Sequence, residues 1–382
     1  YLWEQTNEVD TTAMGMTTGR PVIFNVYDAS VPTRARDQWV AMWGGGRAVG
    51  FTGDSGNDYW RSTEANLYMW NVGDDWRGTE STGYDQRGDN IGIDFPDTVS
   101  PGYVNYNDGA SRLEYAYVSA ALAAVDVDGD GDGDVVYFPV TTAYRPTDEG
   151  GLGPTDAESP GSSWIYKAII DTRTPDNLQW CKFYDPMIGT DGTNGVGMRP
   201  EVFYAATTSW LRDGGLGVYW GTGSPYDRSS GRSGYFFAMK DAEPLDCASR
   251  AEPIPCNGHD GFYPLSAGEG LTADPTVYAG VIYFSTHTPD ADRCEMGTGR
   301  VYGIRFDDCS PGLDTDGDGE ATSMDTPYME QNGYVSGVSI TAYGTVLYGT
   351  ANPDTDESVV ETLRVATDPF MGTATVAWME MY

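Results

Sequence analysis

The sequence predicts an all-β protein, and within that class a β-propeller. Its 382 residues include 49 Gly, 22 Pro and 26 Tyr, and short apolar and aromatic runs alternate with turns of Gly, Asn, Asp and Pro. A weak repeat starts at Gly217, Gly280 and Gly344: a glycine, an apolar-aromatic run, then Gly-Thr or Ser-Thr. Such units are typical of propeller blades, each too small to bury its own face. A β-sandwich with similar strand composition remains the alternative fold.

The predicted strands run along the whole chain. Its length would allow two or three average domains or one large all-β domain, and we expect a single domain over residues 1–382. We expect a modified propeller of roughly seven blades. Residues 73–110 are poor in strand-forming residues and are predicted to be an insertion or a long loop. The period of Leu113–Ala124 fits a short helix or a strand. The remaining runs are predicted strands: 22–27, 38–43, 66–70, 135–138, 164–170, 199–204, 217–222, 234–239, 274–278, 280–286, 299–304 and 344–350.

An acidic loop stands directly before the predicted strand at 135–138. Carboxylates at alternate positions repel one another by about 1 kcal/mol per neighbouring pair even in water, so the pattern favours a bound cation. Oxygen ligands at the first, third and fifth places, with a turn glycine at the sixth, are typical of calcium loops. The backbone carbonyl at the seventh place and a carboxylate at the ninth complete the set. The predicted ligands are Asp126, Asp128, Asp130, Asp132 and Asp134.

A second acidic loop follows later in the chain, with the same first, third, fifth and turn-glycine positions. Its ninth position is Thr322, which could bind through water, and its twelfth is an aspartate, shorter than the usual Glu. A solvated acidic loop without a metal is the alternative here. The predicted ligands are Asp314, Asp316, Asp318, Glu320 and Asp325.

The formal net charge of −35 argues against nucleic acid as a partner, because phosphate would be repelled. It fits a secreted protein that meets divalent cations or a protein from a salty habitat. No apolar run is long enough to span a membrane, and the start at Tyr1 without Met indicates a processed or truncated end. The five cysteines suggest two local disulfides, Cys247–Cys256 and Cys294–Cys309, with Cys181 left as a buried thiol.

Several collinear motifs resemble the C-terminal β-propeller domain of the PilC/PilY family of type IV pilus biogenesis factors and tip adhesins. The Asp-x-Asp-Gly-Asp-Gly-x-x-Asp-x-x-Tyr pattern from Asp126 to Tyr137 is the most specific. The others are Leu2-Trp3-Glu4 to Pro21, Trp39 to Gly46, Trp164 to Ile170, Gly217 to Gly223, Asp274 to Pro289 and Cys294 to Tyr302. The loop at Asp314 and the insert at 73–110 have no counterpart in that pattern. Because the family's propeller begins upstream of the segment at Trp3, the resemblance implies that an early blade and the family's N-terminal region are missing from this sequence, so that the propeller is incomplete at its N-terminus.

This resemblance implies a calcium-dependent protein of the pilus tip or the bacterial outer surface that supports pilus extension, twitching motility and surface attachment. It implies minor pilins as partners, with a host or abiotic surface as a further ligand. No enzymatic activity is expected, because the sequence has no Gly-x-Ser-x-Gly elbow and no phosphate loop. Its two histidines, His259 and His287, are far apart in sequence and are expected to be structural. Two alternatives stay open: an integrin-like calcium-loop propeller acting as a receptor or as a matrix- or glycan-binding module, and a secreted carbohydrate-active enzyme. The tryptophans Trp60, Trp70 and Trp76 form either a binding face or core packing.

Overall fold

The described residues are built from β-strands alone. A computed structural model describes residues 19–27, 37–45, 49–52, 58–61, 67–71, 90–91, 114–144, 163–170, 179–186, 200–223, 233–292, 295–341, 345–352 and 357–364. The chain divides into two compact units, residues 1–182 and 183–382. No helix that could span a membrane occurs within these ranges. The Leu2-Trp3-Glu4 motif, Trp76 and Cys294 lie outside the described residues.

The first sheet has four antiparallel strands in the order β1-β2-β5-β6, and β3 and β4 form a separate hairpin. Side chains of β1 alternate, so that Phe24 and Val26 are buried while Ile23 faces solvent. Within the predicted insert the structure describes only β6, which pairs with β5. The strands are β1 (Val22–Tyr27), β2 (Asp37–Gly44), β3 (Val49–Thr52), β4 (Asp58–Arg61), β5 (Leu67–Asn71) and β6 (Asn90–Ile91).

The second sheet follows the order β11-β10-β9-β7, and β8 also pairs with β9. Every side chain of β10 is buried, as are Val135 to Val140 of β9. Burial on both faces explains why these strands are nearly continuous apolar runs instead of alternating ones. The strands are β7 (Glu114–Val118), β8 (Ala123–Val125), β9 (Val135–Tyr144), β10 (Ser163–Ile169) and β11 (Gln179–Tyr184).

The core of the first unit joins these two sheets. Phe24 of β1, Met42 of β2, Phe138 of β9 and Tyr166 of β10 belong to one buried apolar cluster. Because neither sheet could bury these side chains alone, their packing supplies most of the favourable burial in this unit.

The third sheet runs β12-β13-β14, with both β15 and β18 paired to the far edge of β14. The short hairpin of β16 and β17 lies between them in sequence. The strands are β12 (Thr207–Trp210), β13 (Leu216–Gly221), β14 (Ser233–Asp241), β15 (Ala251–Pro253), β16 (Pro255–Cys256), β17 (His259–Asp260) and β18 (Phe262–Ala267).

The fourth sheet runs β19-β21-β22-β23 with β20 beside β21, and in the fifth sheet β26 pairs with β24 and β25 and also with β27. The strands are β19 (Gly270–Leu271), β20 (Thr276–Tyr278), β21 (Val281–Thr288), β22 (Thr298–Arg305), β23 (Tyr328–Asn332), β24 (Tyr334–Val335), β25 (Ser339–Ile340), β26 (Thr345–Asn352) and β27 (Glu357–Arg364).

The repeat seen in the sequence corresponds to a repeated place in the sheets. The runs after Gly217, Gly280 and Gly344 form β13, β21 and β26, and each of these strands is flanked by paired strands on both sides. The threonines that close the three runs, at 222, 286 and 350, are all buried. The described residues form five sheets of four or five strands, so the predicted number of roughly seven blades stays a prediction.

Stacked aromatic rings connect the third and fourth sheets in the core of the second unit. Phe236 of β14 stacks on Phe284 of β21 with centroids 4.1 Å apart, and Phe284 stacks on Tyr302 of β22 at 4.6 Å. Tyr328 of β23 continues the series at 5.1 Å from Tyr302, in a tilted orientation. Apart from this last contact the rings are nearly parallel, which fits offset stacking in a dry interior.

One strand prediction is wrong, and the structure resolves one stretch that the sequence left ambiguous. The run at 199–204 is not a strand over its described residues, 200–204. The carbonyl of Glu201 accepts a bond from Gly223, and the Asp274 side chain accepts the amide of Ala205, so this segment is bonded outside any ladder. For the ambiguous Leu113–Ala124 stretch, the structure shows two strands, β7 and β8, and no helix.

The predicted local disulfides are wrong. Cys256 pairs with Cys309, 53 residues away, and both are buried in the core of the second unit. Cys181 and Cys247 are each disulfide-bonded as well, so Cys181 is not a free thiol. Proximity in sequence failed as a guide because cysteines on neighbouring sheets can be closer in space than cysteines on one loop.

Candidate metal-binding loops

The first acidic loop connects β8 to β9 and is closed by its own side chains. Both oxygens of Asp126 accept backbone amides, from Gly129 at 2.7 Å and from Gly131 at 2.9 Å. Asp128 accepts the amide of Asp130 at 3.1 Å. Gly129 and Gly131 have φ of 80° and 100°, a backbone conformation that L-residues with a Cβ rarely adopt. The two glycines of the motif therefore make this turn possible.

The loop is also bonded to strands on both sides of it. The amide of Gly133 donates to the carbonyl of Asn25 in β1 at 2.7 Å, and the amide of Ile170 donates to the carbonyl of Asp134 at 2.8 Å. Gly133 lies against the buried Phe24 ring, so that a Cβ there would stand 2.4 Å from a ring carbon. The loop thus joins the first sheet to the end of β10.

The second acidic loop has the same internal geometry. Asp314 accepts the amides of Gly317 and Gly319 at 2.7 and 2.9 Å, and Asp316 accepts that of Asp318 at 3.1 Å. The φ values of the two glycines, 81° and 97°, are within a few degrees of those in the first loop. Two segments far apart in sequence therefore fold into one loop conformation.

The two loops are closed by carboxylates from different positions. In the first loop, Oδ2 of Asp134, at the ninth place, accepts the amide of Val127 at 2.7 Å. In the second loop, Oδ1 of Asp325, at the twelfth place, accepts the equivalent amide of Thr315 at 2.7 Å. Thr322 occupies the ninth place there and donates both its amide and its hydroxyl to Asp325. Asp325 therefore makes the bond that Asp134 makes in the first loop.

Each loop brings three carboxylates within reach of one ion. The carboxylate oxygens of Asp126, Asp128 and Asp130 lie within 4.8 Å of one another. In the second loop the corresponding trio consists of Asp314, Asp316 and Asp325, also within 4.8 Å. Clustered carboxylates repel at this range unless a cation lies between them, and oxygen-only donors favour hard ions. Both loops could hold a metal ion.

The remaining predicted ligands lie beside these trios. Asp132 and Asp134 are buried next to the first trio, whereas Asp318 and Glu320 are exposed next to the second. The assignment of all ten residues as ligands stays a prediction. The structure adds that Asp134 and Asp325 are counterparts, because each accepts the amide at the second place of its loop.

The surroundings of the two closing carboxylates differ. Burial raises the pKa of Asp134, and the negative charges of Asp128 and Asp130 raise it further. Backbone amides of Thr322 and Thr315 lower the pKa of Asp325 to about 2. Without a cation, the charged form of Asp134 is therefore destabilised in the first loop. In the second loop, hydrogen bonds stabilise the charged form of Asp325.

The low pKa of Asp325 predicts that its contribution to stability is lost in acid. Because its folded-state pKa of about 2 is below the ordinary value of 3.8, the carboxylate stabilises the fold above pH 4, and this stabilisation is lost as the pH falls towards 2. In urea unfolding with chelator, we expect wild-type protein to lose more stability between pH 5 and 2 than Asp325→Asn does. Glu320→Gln, which removes an exposed carboxylate of the same loop, should behave like wild type; equal acid sensitivity in Asp325→Asn would contradict the assignment.

The other residues singled out in the sequence have structural contacts where they are described. His259 packs on Phe262, with ring centroids 4.9 Å apart, and His287 packs on Tyr334 at 5.3 Å. The structure describes only the backbone of Trp60 and Trp70, in β4 and β5, so their role stays open.

A buried carboxylate absent from the sequence reasoning is Glu269. It accepts hydrogen bonds from Thr286, Tyr302, Arg300 and the amide of Ser266. Arg300 also bonds Glu330 and lies over the Tyr328 ring, with its guanidinium carbon 4.5 Å from the centroid. With four donors satisfied, Glu269 holds neighbouring strands together, as buried carboxylates do when they are fully bonded.

Comparison with known proteins identifies the fold. No family model and no curated protein sequence matches the chain. The crystal structure of the Pseudomonas aeruginosa PilY1 C-terminal domain is similar, with a TM-score of 0.51 at 13% identity over 95% of this chain and 75% of that chain. An exo-1,5-alpha-L-arabinanase from a bovine ruminal metagenomic library matches over 92% of this chain and 95% of its own at 7% identity, with a TM-score of 0.31, which supports no inference about this chain. The all-β propeller class predicted from the sequence is confirmed, and the fold is PilY1-like.

Proposed function

We propose that this chain is the calcium-dependent propeller domain of a type IV pilus tip-associated protein. In this role it supports pilus assembly and extension, twitching motility and surface adhesion from the pilus tip or the outer surface of the cell. The observation that carries the proposal is the Asp126–Asp134 loop, with three clustered carboxylates, in a fold similar to the PilY1 C-terminal domain.

Calcium is the ion that this donor set favours. The loop offers only oxygen ligands and more carboxylates than a small octahedral ion requires, and calcium accepts six to eight oxygens in a flexible geometry. Binding would neutralise the repulsion that the neighbouring carboxylates exert on Asp134. It would stabilise the folded state by about 2.7 kcal/mol at a free calcium concentration 100 times the dissociation constant.

Occupancy would be transmitted through the loop's backbone. Its bonds run to Asn25 in β1 and from Ile170 after β10, so an ion that stiffens the loop also stiffens the junction of the two sheets. We propose that minor pilins bind this stiffened state. We propose a binding role for this chain and not a catalytic one, with a host or abiotic surface as the further ligand.

The position of the second loop favours this role over an integrin-like repeat. The first loop joins β8 to β9, whereas the second lies between β22 and β23, the last two strands of its sheet. Loops that belonged to one repeated calcium-binding blade would occupy the same connection in each blade. The second loop is proposed as an additional calcium site of the same conformation.

The test uses a pilus-bearing host in which the native gene is deleted and replaced by variants. Asp126→Asn with Asp134→Asn should abolish calcium binding at the first loop and reduce surface piliation and twitching. The matched control, Glu252→Gln with Asp260→Asn, also removes two negative charges, from exposed positions, and should retain piliation. Normal piliation in the loop variant, despite lost calcium binding, would refute the proposal.

A binding experiment with purified protein separates this proposal from the receptor alternative. Purified protein should bind minor pilins in calcium and release them in chelator. Binding only to glycans or matrix proteins would favour the receptor alternative instead.

A further inference from the structure

Over one long stretch of the second unit, the described surface has little positive charge. Over residues 233–292 and 295–341 the chain has 18 acidic and four basic side chains. Thirteen of those acidic side chains are exposed, whereas Arg250 alone among the four basic ones is exposed. Few cations of the protein are therefore present in this stretch to balance its exposed carboxylates.

The lysines of the chain are buried or only partly exposed. The 22 basic residues include three lysines: Lys167 is fully buried, Lys182 is partly buried and Lys240 keeps 20% of its side chain exposed while it pairs with Asp213. The exposed positive charge within the described residues is thus carried by arginine.

Calcium cannot supply the missing charge. Two divalent ions, one in each acidic loop, would neutralise four of the 35 net negative charges and leave −31. Self-repulsion of this size destabilises a compact state relative to an expanded one. Screening by salt shortens the range of that repulsion from about 10 Å at 0.1 M to about 3 Å at 1 M.

A basic protein partner fits this surface less well than ions do. Binding interfaces are depleted of Asp and Glu at their centre and enriched in aromatic side chains, Met and Arg. In this stretch the exposed large apolar side chains, Leu245, Met296 and Met324, are far apart in sequence, and the exposed carboxylates are distributed over many loops and strands. Exposed carboxylates on so many elements indicate a property of this surface and not of one interface centre.

We infer that the native state requires screening by hydrated monovalent cations, in addition to any calcium held by the two acidic loops. Folding of this protein is therefore salt-requiring: the cation atmosphere relieves repulsion that the chain's own basic residues leave uncompensated. This inference concerns stability and is independent of the proposed role at the pilus.

The test measures urea unfolding of the full chain in saturating calcium, at KCl from 0.1 to 2 M. We expect the urea midpoint to rise by about 1 M over this range. The variant Glu252→Gln/Asp260→Asn/Glu295→Gln/Asp307→Asn removes four exposed carboxylates and should be more stable than wild type at 0.1 M KCl but equal to it at 2 M. Arg250→Gln should shift the low-salt midpoint the opposite way. A midpoint independent of KCl would overturn the inference, as would an equal rise in wild type and the four-site variant, since general salting-out ignores charge.

Discussion

Replacing Cys256 and Cys309 with alanine is expected to lower the free energy of unfolding by about 4 kcal/mol, because the bond closes a long loop in the unfolded chain. The two cysteines are 53 residues apart in sequence and are buried in one apolar core. The bond holds β16 against the turn that follows β22. Alanine is preferable to serine here because it leaves no unbonded hydroxyl in that core. Urea unfolding by circular dichroism provides the measurement.

The slope of that unfolding transition distinguishes two origins of the effect. If the disulfide acts mainly by restricting the unfolded chain, the double variant should expose more surface on unfolding and show a steeper dependence on urea. Either single variant should be at least as destabilised, since it loses the bond and leaves a buried thiol. A double variant as stable as wild type would mean that packing around β16 is sufficient without the bond.

Replacing Asp126 with alanine is expected to cost about 3 kcal/mol even without metal, because two amides lose a charged acceptor. These are the amides of Gly129 and Gly131, and Asp126 is 5% exposed. In calcium the loss should be larger, since the variant also forfeits the stabilisation that ion binding supplies. Unfolding curves in chelator and in calcium separate the two contributions.

The second loop contains the matched control for this experiment. Asp314 makes the same two bonds at the same distances but is partly exposed. Water can replace a lost acceptor there, so Asp314→Ala should cost less than Asp126→Ala does. Equal losses at the two sites would show that the burial of the first loop contributes nothing to its stability.

The strands that could be predicted from the sequence are those with apolar and aromatic runs. The run at 22–27 has the predicted bounds, and the runs in β2, β10, β13 and β21 differ from the observed strands by one or two residues. Strands buried on both faces need continuous apolar sequence, which makes them visible without knowledge of their partners.

Strands that depend on their neighbours could not be predicted in this way. β23 and β27 are rich in polar residues, and β24 and β25 have two residues each, so pairing and not composition makes them strands. The Cys256–Cys309 bond was missed for the same reason, because it joins positions that only the arrangement of sheets brings together.

The acidic loops show both the strength and the limit of sequence reasoning. Spacing alone identified the first, third, fifth and glycine positions, and the structure shows the same amide bonds in both loops. Spacing could not show that Asp325 takes the place of Asp134, because the closing carboxylate comes from the ninth position in the first loop and from the twelfth in the second.

The stacked rings of Phe236, Phe284 and Tyr302 provide an optical probe of the second unit. Parallel aromatic rings at 4.1 and 4.6 Å, with angles of 3° and 5° between their planes, couple their electronic transitions, so they should contribute a distinct near-ultraviolet circular dichroism band. One ring comes from the third sheet and two from the fourth. The amplitude of the band would therefore follow the separation of these sheets, while the far-ultraviolet signal follows the strands themselves.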